Sequence, residues 1–306
     1  MIDRIEPVVD CILAHGPAQM MSSARARAQA LVLAYHSIGQ PERFEEHLKY
    51  LLRHSRPVSL DELIRAGDSV EGFPRPPALL SFDDGDRSLM DVVLPLLKER
   101  GVPGVAFVIS SLLESDRLPW WAEVEDLQSA GASSDLLNGV DKTLTVRALK
   151  QMPDSYRDKV IEELRSSVPP VVMHAKQLTP ADLRALETGG ISIGNHTNTH
   201  PCLPQCSRMK LEAEIRDAHS LLEFGLGHPP KAFAYPNGDW DQRAEKVLKD
   251  LGYEAAFLFD HRTNRLPISD SLRISRLRVD STTTMDRFRM IVSGLHPALH
   301  RLRGGK

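Results

Sequence analysis

Two adjacent carboxylates, Asp83 and Asp84, end the apolar run Ala78-Leu79-Leu80-Ser81-Phe82, and Gly85 then turns the chain. An apolar run without polar alternation is the pattern of a strand buried in a parallel sheet. The carboxyl ends of such strands are where open α/β sheets and α/β barrels place reacting groups. An Asp pair in such a loop also serves to cap a helix, here one starting near Arg87, so the pair alone decides nothing. Far downstream, Ile191 to His200 again begins as a short apolar strand and ends in polar residues, among them His196 and His200. A spacing of four brings two imidazoles together on a helical turn, and one carboxylate added to two imidazoles makes a catalytic metal site with an open position. Either aspartate can supply that carboxylate. Divided, the pair is more useful than shared, because one member ligates the ion while the other stays free as a base for an attacking water. A lone His-x-x-x-His usually holds no metal; the two stretches together carry the argument.

Ser81-Phe82-Asp83-Asp84-Gly85 resembles the first motif of the NodB-like polysaccharide deacetylases, carbohydrate esterase family four, which are metal-dependent N- and O-deacetylases. His196-Thr197-Asn198-Thr199-His200 resembles their second motif, and Phe233-Ala234-Tyr235-Pro236-Asn237-Gly238 stands in the place of the third. The likeness runs from residue 31 to residue 290. It implies an α/β fold, an incomplete (β/α) barrel of about seven strands. It also implies Asp83 as catalytic base and Asp84, His196 and His200 as ligands of a divalent metal, zinc first, though such a ligand set accepts other transition metals. The implied partner is an N-acetylated amino-sugar glycan, glycolipid or saccharide. Two alternatives stand beside it: a hydrolase of the same fold acting on a non-sugar C–N bond in a small cytosolic metabolite, and an inert carbohydrate-binding relative.

The third motif departs from the Arg-x-Pro-Tyr-Gly of relatives. Ala234 falls where the arginine that orients the base is expected, and Asn237 where the tyrosine is expected. A main-chain N–H at Asn237 can still serve an oxyanion, since that donor does not depend on the side chain. Tyr235 and Asn237 are the expected oxyanion or substrate contacts, and Arg276 is expected to point back into the barrel and replace the missing arginine. The Leu-x-His motif that often supplies the general acid is also missing from the last strand. Relatives have a similar Tyr-His at the first strand, which makes His36 the first candidate acid. His261 and Asp280 are reserves, and His296 falls in what reads as a terminal helix.

The supporting elements follow from apolar spacing and breakers. Buried strands are expected at Leu31–His36, at the run before Asp83, at Gly104–Ile109, at Ile191 onward, at Lys231–Tyr235 and at Glu254–Phe259, with a last, partly exposed strand over Leu272–Val279. Helices are expected over Glu42–Leu51, Leu60–Ile64, Asp91–Arg100, from Thr179, and over Lys210–Leu222 and Asp241–Leu251. Residues 1–30 read as an N-terminal tail in which Ala24–Ala30 is helical or loose, residues 31–295 as the barrel domain, and residues 296–306 as a C-terminal tail. Between Ser111 and Lys176 the pattern breaks into a helical insertion over the barrel mouth, carrying Trp120-Trp121 as either a sugar-stacking platform or a clamp.

The chain has 306 residues, 42% hydrophobic and 26% charged, ordinary for a globular protein. Its net charge of -3 gives no reason to expect nucleic acid as a partner. Cys11, Cys202 and Cys206 cannot all pair within one chain and read as free thiols of a reducing compartment. No apolar run matches a signal peptide core or a membrane span, so a cytoplasmic location is expected.

Overall fold

The computed structural model describes residues 6–26, 29–66, 75–169 and 176–302. Its strands are β1 (Gln29–Tyr35), β2 (Arg56–Pro57), β3 (Pro77–Phe82), β4 (Gly104–Val108), β5 (Ile191–Asn195), β6 (Ala232–Ala234), β7 (Ala255–Phe257), β8 (Asn264–Arg265) and β9 (Leu277–Arg278). β1, β3, β4, β5, β6 and β7 lie side by side in that order, each parallel to the next. β9 runs parallel to β1, and Ile274 just before it bridges in parallel to Phe257 of β7. The segment from Ile274 to Arg278 therefore links the two ends of the row and curls it into an incomplete barrel. β2 adds to β3, and β8 pairs antiparallel with the start of β1.

Side-chain alternation in these strands separates two apolar layers, because successive residues of a strand point to opposite faces. Leu31, Leu33, Leu80, Phe82, Ala106 and Val108 belong to the outer layer under the helices. Val32, Leu79, Val105, Phe107, Ala234 and Phe257 fill the barrel interior. Both faces are thus buried, and β3 is buried at every position, which is why it reads as a continuous apolar run.

The expected helices form with small changes of boundary: Pro41–His54, Leu60–Ala66, Pro180–Thr188, Arg208–Leu226 and Gln242–Asp250. The helix after the Asp pair begins as a wider π-type turn over Leu89–Val93 before Leu94–Arg100. Its entry is fixed by Asp86, whose Oδ1 accepts from the Ser88 N–H at 2.8 Å, and not by the Asp83-Asp84 pair. The inserted helices Trp120–Ser129, Thr145–Leu149 and Asp154–Ser166 share a core of their own built on Trp120, Val124, Leu149 and Val160.

The described segments nearest the two ends of the chain pack on the body. Glu6–His15 and Pro17–Ala26 are helical and lie against Met285–Val292, which is followed by a helix over Leu295–Leu302. Of the Ala24–Ala30 stretch, residues 27 and 28 lie outside the described residues, as does part of the insertion's end. No described helix is long and apolar enough to cross a membrane.

Candidate active site

Inward alternation continues past the strand ends and selects the site. Counting in steps of two from Leu79 brings Asp83 inward, from Val32 brings His36, and from Ile274 brings Arg276 and Arg278. The same count sends Tyr235 outward. Its ring packs with Phe233 in the layer beneath the helices, and its hydroxyl donates to Leu272 O at 3.2 Å. Tyr235 therefore lies outside the cavity, correcting the expected substrate contact.

Arg276 holds Asp83 by two parallel bonds, Nη1 to Oδ1 at 2.6 Å and Nη2 to Oδ2 at 2.8 Å. Its Nε donates to Leu258 O at 2.7 Å, and Nη1 also reaches Ser81 Oγ at 3.3 Å. The guanidinium is fully buried, between the rings of Phe107 and Phe259. Such a fork fits a planar guanidinium and not an ammonium. Burial pushes the Asp83 carboxyl up, but Arg276 and then His196 overcome this and hold it well below the usual carboxylate range.

Asp84 is in the opposite situation. Its Oδ1 is buried with no hydrogen-bond partner, 3.5 Å from His196 Nε2 and 3.7 Å from His200 Nε2. His196 Nδ1 lies 2.8 Å from the Ala234 carbonyl, so that nitrogen carries the proton and Nε2 presents its lone pair. Burial raises the Asp84 carboxyl, and burial together with His196 holds His200 well below the ordinary imidazole range. One carboxylate oxygen and two ring nitrogens thus converge within 4.8 Å. Electron pairs gathered in this way, one of them orphaned, fit a divalent cation; a second group of this kind, Cys11, His15 and Asp286, is largely exposed.

The two histidines do not meet on a helical turn. Thr197 and His200 have φ of 67° and 57°, and side chains replace helical bonds: Asn195 Oδ1 accepts from Thr197 N at 2.7 Å and Thr197 Oγ1 from His200 N at 3.0 Å. Glu214 anchors the loop from below, accepting from the Thr199 N–H and hydroxyl at 2.7 Å each. These local bonds outcompete a helix, as Asn and Thr side chains do at strand ends.

A cavity of about 390 Å³ opens over this group, lined by His36, Asp83, Asp84, Trp121, His196, His200, Asn237 and, from residues not singled out in the sequence, Lys150, Gln151, Gly238, Asp239, Phe259 and Arg278. The Trp pair divides its work. Trp120 is a clamp, its Nε1 donating to His200 O at 3.0 Å, whereas the Trp121 ring stands 4.6 Å from that of His200 and faces the cavity. His36 is exposed at the rim with its ring against Phe259. His261 is turned away, bonded through Nε2 to His296 Nδ1 at 2.8 Å, and Asp280 is occupied by its own turn, so neither reserve acid lines the cavity. Cys202 and Cys206 are buried free thiols, Cys202 Sγ lying 3.5 Å from Asn237 Nδ2.

Gly238 closes the third motif at φ +79°, and a Cβ there would meet Phe259 N at 2.5 Å. Gly238→Ala should cost at least about 1–2 kcal/mol from the left-handed backbone alone. A lowered denaturation midpoint checks this; an unchanged midpoint would show that the turn can be rebuilt.

The family model for polysaccharide deacetylase matches residues 71–256. Chitin deacetylase 2 of Saccharomyces cerevisiae is 32% identical over 84 residues, a match that covers 28% of this chain and only 27% of that relative's length. Among solved structures, the deacetylase PplD of Streptococcus pyogenes superposes with a TM-score of 0.61 at 18% identity, over 86% of this chain and 98% of its own. IcaB from Ammonifex degensii gives 0.59 at 17% identity, over 88% and 97%. At these identities the likeness to solved structures speaks for the barrel alone.

Proposed function

Because this chain belongs to the polysaccharide deacetylase family, we propose that it hydrolyses N-acetyl groups on an amino-sugar-containing glycan, glycolipid or saccharide with the help of a divalent metal ion, zinc in the first instance. The observation that carries this reading is the division of the two carboxylates. Asp83 is locked to Arg276 and kept ionised, while Asp84 keeps an unpartnered oxygen beside two imidazoles. Asp84, His196 and His200 would hold the ion, which supplies Lewis acidity toward the acetyl carbonyl and toward water.

The chain's own residues perform the rest. Asp83, fixed in orientation by two bonds to Arg276, takes the proton of the attacking water. Its low proton affinity in the resting protein keeps it ready as the anion across the physiological range. Asn237, in the cavity wall, offers its main-chain N–H to the oxygen on which charge develops. His36, inward from the end of β1, gives a proton to the departing amine. Trp121 covers His200 and presents an aromatic face to a sugar ring. Acetate release from N-acetylhexosamine oligomers by the zinc-loaded protein tests the reading. Steady release is expected, and its absence with zinc, cobalt and nickel alike would overturn it.

A further inference from the structure

The cavity holds a cation for which N-deacetylation as such has no use. Lys150 follows the inserted helix Thr145–Leu149 and lines the cavity with Asp84, His200 and Trp121. Among the described residues its ammonium makes no ion pair or hydrogen bond. It is near enough to act electrostatically on Asp84, His200 and Asp239. Its placement is fixed: neighbouring Leu149 is buried in the insertion's core, the Lys150 N–H donates to Val146 O at 3.0 Å, and Gln128 Nε2 donates to Thr145 Oγ1 at 2.9 Å. Trp120 ties the insertion to the barrel through His200 O, and Arg157, paired with buried Asp154, lies over the Trp120 ring.

The charges around Lys150 favour an anion. Asp83 is cancelled by Arg276, and a dication beside Asp84 would more than offset that carboxylate. Arg278 also lines the cavity, but its guanidinium is engaged, Nε donating to Phe259 O at 2.8 Å, so the count rests on Lys150. Against these, Asp239 is the one remaining carboxylate in the lining. A cavity left positive, with half-buried Lys150 and the aromatic Trp121 both in its lining, recruits a substrate carrying negative charge.

We propose that Lys150 binds an anionic substituent, a carboxylate or phosphate, on the saccharide, so that the preferred substrate is an acidic N-acetylated saccharide; this rests on the deacetylase reading and narrows it. Acetate set free by the reaction is the other carboxylate that could meet Lys150, and the test separates the two.

The zinc-loaded chain is assayed on an oligosaccharide alternating N-acetylhexosamine with hexuronate and on a neutral N-acetylhexosamine oligomer of equal length. Wild type should favour the acidic substrate in kcat/KM, Lys150→Met should lower that acidic-to-neutral ratio about tenfold, mainly through KM, and Lys150→Arg should retain it. A ratio unchanged in Lys150→Met, whether both substrates lose equally or neither loses, overturns the proposal. So does weaker inhibition by acetate with no change in the ratio, which would assign Lys150 to the product. Calorimetric titration of both oligosaccharides separates this proposal from its premise. Lys150-dependent preference for the acidic one, without turnover of either, would sustain anion recognition and remove deacetylation.

Discussion

Replacing Asp83 with Asn should lower kcat for acetate release about a thousandfold while leaving the bound metal in place, since a general base in this role contributes on the order of 10²–10⁴. The carboxamide has nearly the same shape, but it cannot take a proton from water near neutral pH. Asp83 stands apart from the converging trio of Asp84, His196 and His200, its Oδ2 lying 4.0 Å from His196 Nε2 and its oxygens engaged by Arg276. Metal content should therefore stay near the wild-type value. The substitution leaves the buried guanidinium without its counterion and with one acceptor oxygen at position 83 where it had two, so the melting temperature should fall, and rates must be normalised to folded protein. A variant keeping more than a tenth of wild-type kcat would remove Asp83 from the chemistry. One that lost metal and activity together would make it a ligand instead.

Removing the other partner should show most clearly in stability. Arg276→Met leaves the Asp83 carboxylate buried without its counterion, and breaking a buried pair in this way costs about 3–5 kcal/mol. The pH dependence has a definite sign. In the wild type the folded-state pKa of Asp83 is depressed, so its stabilisation is complete above the unfolded aspartate value of about 3.9 and is lost as pH falls through the folded pKa. Without Arg276 the burial that pushes this carboxyl up is opposed only by the histidines, and the folded pKa rises. Acidification toward the unfolded value then protonates the folded form first. The deficit of Arg276→Met relative to wild type should therefore be largest near pH 7 and shrink on acidification, as read from denaturant midpoints across pH. A deficit independent of pH would mean that Arg276 acts by packing alone. Arg276→Lys should restore charge but not the two-bond fork, recovering part of the stability and less of the rate.

Much of the barrel was legible because its strands are buried on both faces. Runs such as Leu31–Tyr35 and Pro77–Phe82 have no polar alternation to confuse with a surface strand, and Gly and Pro punctuate the helices between them. The last strand was harder to read. Over Leu272–Val279 only Leu277–Arg278 forms a strand, with Ile274 bridging separately to β7, because this segment closes the barrel and bends between two neighbours. β2 and β8 are two residues each and leave no periodic signal.

The site divides along similar lines. Alternation by two carries Arg276 inward and carries Arg278 with it, so Arg278 was readable from the same count. Tyr235 was misplaced for want of that count, since two steps from Phe233 bring it to the outer layer. His196 and His200 meet through a left-handed loop whose bonds come from Asn195, Thr197 and distant Glu214, which spacing alone does not reveal. The insertion was expected over the barrel mouth, but that Lys150 and Gln151 are the residues it brings to the cavity is a tertiary fact that no local pattern in residues 111–169 announces.

The most direct test of the account is metal content by elemental analysis of the purified chain beside Asp84→Ala and His200→Ala. The geometry predicts close to one divalent ion per folded chain in the wild type and a fall to near background in both variants, because each removes one of the three groups that would hold it. A wild type that stays metal-free after exposure to zinc, cobalt and nickel, or variants that keep the ion, would contradict it.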